Sequence, residues 1–130
     1  MPQQATTGAV LYAKDVERMS RFYAECCGVK VAHSEDDHVV LESPTFQLVI
    51  LAIPASIAAT ISITTPPTRR TDTPIKLFFH VDSIDTTREV ARRLGGELNP
   101  PGREWQYHGN KVCDGHDPEG NVVQFRERAR

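Results

Sequence analysis

Lys76, Phe78 and His80 alternate with Leu77, Phe79 and Val81 in the middle of the chain. Strand alternation sends the two sets to opposite faces, so an ammonium, an aromatic ring and an imidazole share one of them. The final run, Asn121–Arg126, sets Val122, Gln124 and Arg126 against Val123 and Phe125. Near the start, Gly8, Val10 and Tyr12 oppose Ala9, Leu11 and Ala13. If the apolar sets pack on helices, Tyr12, Lys76, Phe78, His80, Gln124 and Arg126 form the ligand-facing set. Aromatic surface with a few polar anchors suits a small, partly apolar ligand that carries an anionic or carbonyl group. Histidine titrates near neutrality, so His80 is a possible general base with Lys76 as electrostatic stabiliser. Positions four apart on one strand lie about 13 Å from each other. A ligand can bridge the two residues, but one reacting atom cannot easily touch both.

Other reactive groups have plainer readings beside them. Asp114, His116, Asp117 and Glu119 are the densest ligand-like cluster, a candidate shifted metal site. Asp117-Pro118-Glu119-Gly120 reads as a turn, which accounts for two of the four. Trp105, the only tryptophan, sits between Glu104 and Tyr107 in a loop-rich stretch, as a lid or as a dimer contact. Three cysteines, Cys26, Cys27 and Cys113, cannot all pair, and two are adjacent. They are expected to be reduced thiols in a cytoplasmic protein.

The elements that hold these groups form a repeat spaced by 68 residues. Val16, Met19, Phe22, Tyr23 and Cys26 mark one face of a helix, and Ile84, Thr87, Val90, Ala91 and Leu94 mark another. Asp15 and Asp82 are placed to cap the two starts, and Gly28 and Gly95-Gly96 the two ends. A strand-like run precedes each, Gly8–Ala13 and Ile75–Val81. Val29–His33, His38–Glu42 and Phe46–Ile53 follow the first helix. Trp105–Tyr107, Asn110–Cys113 and Asn121–Arg126 follow the second. Ser34-Glu35-Asp36-Asp37, Ser43-Pro44 and Asn99-Pro100-Pro101-Gly102 mark turns. The chain reads as strand–helix–strand–strand–strand, twice: module one over residues 8–53, an exposed connector over 54–74, and module two over 75–127 of a single domain. Ala55–Ile63 within the connector is open to a helical turn or an edge strand.

Composition narrows the partners. The 130 residues are 39 % hydrophobic and 25 % charged, a globular balance with enough chain for one core. The net charge of −2 argues against nucleic acid. No apolar run approaches the roughly 20 residues of a membrane span, and Met1–Thr7 lacks the layout of a signal peptide.

Several motifs in order resemble the vicinal oxygen chelate superfamily, the group of glyoxalase I, bleomycin resistance proteins and extradiol dioxygenases. They are Lys14-Asp15-Val16, then Phe22-Tyr23 and Gly28, then His80-Val81-Asp82, then Asp117-Pro118-Glu119-Gly120-Asn121 before the last strand. The resemblance covers Gly8–Glu127. It implies an α+β fold of two βαβββ modules whose mixed sheets curl around a shared cavity, commonly in a homodimer. Metal-dependent members carry four His or Glu ligands, one from each of four inner strands. The corresponding positions here are Gly8, an unspecified residue of Phe46–Ile53, Lys76 and Gln124. The resemblance thus implies a member without the usual metal and without a cofactor, a binding protein like the bleomycin resistance branch. The alternative is a glyoxalase- or dioxygenase-like enzyme, either metal-free through His80 and Lys76 or with a metal at Asp114 and His116.

Overall fold

The computed structural model describes residues 5–129. Residues 1–4, part of the Met1–Thr7 stretch read above for a leader, lie outside it, as does residue 130. The chain divides into two compact units, Met1–Ser62 and Ile63–Arg130.

In the first unit, β1 (Gly8–Ala13) leads into α1 (Val16–Cys27), followed by β2 (Lys30–Glu35), β3 (His38–Glu42), β4 (Gln47–Ala52) and one helical turn, α2 (Ala55–Ala58). Asp15 starts α1 as expected, its carboxylate accepting the Arg18 N–H at 3.0 Å. Gly28 ends it at φ 71°, a conformation glycine adopts without a Cβ penalty. The apolar stripe is buried: Met19, Phe22 and Tyr23 are at most 1 % exposed, and the helix packs on β3 and β4, where Leu41, Leu48 and Ile50 are fully buried. Each such side chain contributes about 1.5–3 kcal/mol by leaving water. The strand order is β1-β4-β3-β2, with β1 parallel to β4 and the rest antiparallel.

The second unit repeats this plan. Its elements are β5 (Leu77–His80), α3 (Ile84–Arg93), β6 (Glu97–Leu98), β7 (Trp105–Tyr107), β8 (Asn110–His116) and β9 (Val122–Arg128). The order is β5-β9-β8-β6, with β5 parallel to β9 and β7 also on β8. The strand β6 lies opposite Gly115 and His116, and β7 opposite Asn110, Lys111 and Val112. Together they act as one strand, broken at Asn99-Pro100-Pro101-Gly102 because proline has no N–H for the ladder. Each unit is therefore βαβββ with one mixed, curled sheet.

Several expectations need correction. The cap of α3 is Ser83, whose hydroxyl accepts the Thr86 N–H at 3.1 Å, and Asp82 precedes it. Ser83 stands 68 residues after Asp15, so the repeat holds at the capping position itself. At the other end Gly95 takes φ 95° and the Gly96 N–H reaches the Ala91 carbonyl at 2.9 Å, as expected for a glycine cap. The fifth strand is shorter than Ile75–Val81, so Lys76 and Val81 flank it. Both β8 and β9 are longer than expected, which puts Asp114 and His116 on a strand. Nor is the 54–74 stretch a simple exposed connector. The Arg70 N–H donates to the Gly120 carbonyl at 2.8 Å, and Arg70 bridges Asn121 in parallel, so the end of the stretch belongs to the second unit.

Candidate ligand site on the second sheet

The alternation expected of the strands holds. Phe79 is 8 % exposed and faces the α3 side, whereas Phe78 is 50 % exposed on the other face. Pairing extends that other face across three strands: Phe78 is opposite Gln124, His80 opposite Arg126, and Gln124 opposite Asp114. In the first unit Val10 and Tyr12 are exposed on the corresponding face of β1, and Tyr12 pairs with Leu51.

On the second sheet the side chains form one connected set. The Lys76 ammonium is 3.0 Å from Asp114 Oδ2. The Gln124 amide donates to Asp114 Oδ1 at 3.2 Å, and its carbonyl oxygen accepts from Arg126 Nε at 2.8 Å. The Arg126 guanidinium lies 3.7 Å from the centre of the Phe78 ring and 5.6 Å from that of Tyr107, the nearer a close cation–π contact. His80 meets Phe78 edge-on with centroids 6.2 Å apart. Lys76, Phe78, His80, Gln124 and Arg126 are thus brought together. Two further members join the set: Asp114, expected only as a candidate metal ligand, and Tyr107, which was not expected on this face. Asp114 shares the face only because β8 continues past Cys113.

A pocket of about 460 Å³ adjoins this set. It is lined by Arg69, Arg70, Lys76 and Arg103, with Thr71, Thr73 and Asn99, and Asp114 is its one carboxylate. Arg69 is aimed by two bonds, donating from Nε to His116 Nδ1 at 2.8 Å and from Nη1 to Asn99 Oδ1 at 2.6 Å. Among the described residues, Arg69, Arg70 and Arg103 pair with no carboxylate. Burial, then the Arg69 charge, hold the His116 imidazole below its ordinary pKa, with Glu97 opposing. A neutral ring is what the bond requires, because Nδ1 must accept.

The shifted metal cluster does not assemble. Asp114 is engaged by Lys76 and Gln124, and His116 by Arg69. Asp117 closes its own turn, accepting the Glu119 N–H at 2.9 Å and the Asn121 N–H at 3.1 Å. Trp105 is 40 % exposed on β7, opposite Val112. All three cysteines are buried, and burial pushes the Cys113 thiol up against the pull of Arg88, which disfavours a reactive thiolate.

Residues 8–125 match the profile of a family described as the glyoxalase-like domain. The chain belongs to that family. Solved structures of the glyoxalase, bleomycin resistance and dioxygenase group share the fold. An enzyme of that group from Burkholderia phytofirmans PsJN is 20 % identical with a TM-score of 0.70, covering 95 % of this chain and 98 % of its own. A fosfomycin resistance protein from Mesorhizobium loti is 12 % identical at 0.63, covering 98 % and 93 %. A bleomycin-binding protein complexed with bleomycin is 14 % identical at 0.57, covering 97 % and 99 %. Among curated proteins, none matches the sequence.

Register names the one ligand position that the resemblance left unspecified. Phe78 pairs with Gln124, and Val10, 68 residues earlier, pairs with Val49. The position on β4 is therefore Val49. Gly8 leaves no room for a side chain, since a Cβ built there would lie 2.1 Å from the Gln47 carbonyl oxygen. A glycine, a valine, a lysine and a glutamine do not fit a divalent ion: two offer no donor atom and one is a competing cation.

Proposed function

We propose that this glyoxalase-like domain binds a small organic molecule with an apolar or aromatic part and an anionic group, without a metal at the family's four positions. The observation that carries the reading is the pocket in which Arg69, Arg70, Lys76 and Arg103 meet a single carboxylate. Charge-assisted bonds to an anion contribute about 1.5–3 kcal/mol each, enough to orient a small ligand. Phe78 and Tyr107 supply flat surface beside it, where an aromatic portion would stack. The Gly8, Val49, Lys76 and Gln124 set supports the metal-free part. A bleomycin-binding protein shares the fold, which supports small-molecule binding as a role for this chain. The chain acts as a homodimer, and its buried thiols suit the reducing cytoplasm.

Native mass spectrometry of the purified protein, which reports any retained small molecule, is the first test. A calorimetric titration with phenylphosphonate, against neutral benzyl alcohol, is the second. The reading expects the phosphonate to bind and the alcohol not to. Equal binding of both, or of neither, overturns it.

A further inference from the structure

The β2–β3 hairpin of the first unit carries a group of side chains that the ligand reading leaves unused. We propose that His33, Glu35 and His38 form a binding site for a borderline divalent cation of the Zn²⁺ type, separate from the four positions described above. One ligand atom from each of the three lies within 4.8 Å of the other two. His33 Nε2 is 2.9 Å and His38 Nε2 is 3.9 Å from Glu35 Oε2. Those spacings bracket the ~3.3 Å edge of a tetrahedron with metal–ligand bonds near 2.0–2.1 Å. Two imidazoles and one carboxylate are a donor set that zinc takes with its fourth position left to water.

Two features of the backbone and its neighbours favour an ion over a casual surface contact. The first is the register. Val31 pairs with Leu41 and His33 with Val40, so Ala32 is the extra residue of a bulge. Without it His33 would oppose Val39, and His33 and Glu35 would point to the face that α1 covers. The bulge turns both onto the face of His38. The second is Asp37, whose Oδ1 lies 2.7 Å from His38 Nδ1. A carboxylate holding Nδ1–H directs the Nε2 lone pair at the ion, the outer-shell arrangement common behind metal-bound histidine. The side chains of His33 and Glu35 are 57 % and 58 % exposed, so an ion can enter without rearrangement.

The test is a calorimetric titration of the whole protein with Zn²⁺, with Co²⁺ as a spectroscopic substitute. The expected result is one ion per chain, with tetrahedral Co²⁺ bands in the visible. His33→Ala and His38→Ala should each weaken binding at least tenfold and abolish the bands. Asp37→Ala, which removes no ligand, should weaken it about 10–100-fold. His33 and Asp37 are largely exposed and His38 is half-buried, and circular dichroism checks that the fold is kept. No binding, or binding that survives both histidine substitutions, overturns the site. Binding that is lost on Gln124→Leu instead would place the ion at the family position, overturning this site and the metal-free reading together. Loss at the histidines alone leaves the anion pocket a separate question.

Discussion

Replacing Lys76 by Met tests the anion pocket with little risk to the fold. The ammonium is 3.0 Å from Asp114, but the two side chains are 41 % and 22 % exposed. A pair so open to water contributes about 0–1 kcal/mol to stability, and Asp114 keeps the Gln124 amide and gains water when the lysine goes. The urea midpoint should therefore barely move. Binding should change far more. Loss of a charged donor to an anion costs about 1.5–3 kcal/mol, or roughly ten- to hundredfold in Kd. The lower end is expected, because Lys76 must share its charge with Asp114. Asp114→Asn should act in the opposite direction. It removes the pocket's only carboxylate, whose repulsion of an anion some 6 Å away is on the order of 1 kcal/mol in a wet site. Affinity should then rise severalfold. Calorimetry with phenylphosphonate on the two variants reads the signs directly. Opposite signs at neighbouring residues are hard to obtain from general loosening. Unchanged affinity in both, with intact folding, would mean that the pocket is not where the anion sits.

Three more outcomes follow. Gly120→Ala should lower stability by about 1–3 kcal/mol, because Gly120 has φ 89° and a Cβ there would lie 2.2 Å from the Thr68 carbonyl; a wild-type urea midpoint would contradict the close approach of residues 68–70. The depressed pKa of His116 means the unfolded chain binds more protons, so its contribution to stability is present above about pH 6.5 and is lost as pH falls through the folded value; denaturation should show a weaker pH dependence in His116→Gln than in the wild type, and equal slopes would refute the linkage. Light scattering should give a dimer, twice the 14.5 kDa chain mass, and a monomer at micromolar concentration would contradict the homodimer.

The repeat was legible because helices and caps leave local marks. Asp15, the glycine after each helix and the apolar stripes depend on residues within one or two turns. Strand alternation was legible for the same reason, and it placed Phe78 and His80 opposite Phe79 before any contact was known. What failed were features set by distant chain. Nothing near Asp114 says that β8 runs on to His116; that follows from pairing with Val122–Phe125. Arg69 and Arg70 sit in a Pro- and Thr-rich stretch that reads as a linker until Gly120 and Asn121 give it a partner. The cap of α3 shows a smaller error of this type, since Asp82 and Ser83 are both good caps and only the backbone decides between them.

Gln124 connects the position at which the resemblance implies a metal ligand to the proposed ligand role. A glutamine amide has one donating and one accepting end, and here both are engaged inside the set. Because Arg126 Nε donates to the carbonyl oxygen, the NH₂ must turn to Asp114. The direction of the amide is thereby fixed, and Gln124, 8 % exposed, has little room to swing. Its bond to Nε and the Phe78 ring below together hold the guanidinium flat. Among the described residues the terminal nitrogens of Arg126 have no hydrogen-bond partner, so they remain available to a ligand oxygen. A carboxylate at position 124 would bind a metal but would also neutralise Arg126 and repel Asp114. The neutral amide does neither, and it keeps a rigid cation on an aromatic face. In the proposed reading, position 124 serves anion binding through the same feature that makes it a poor metal ligand.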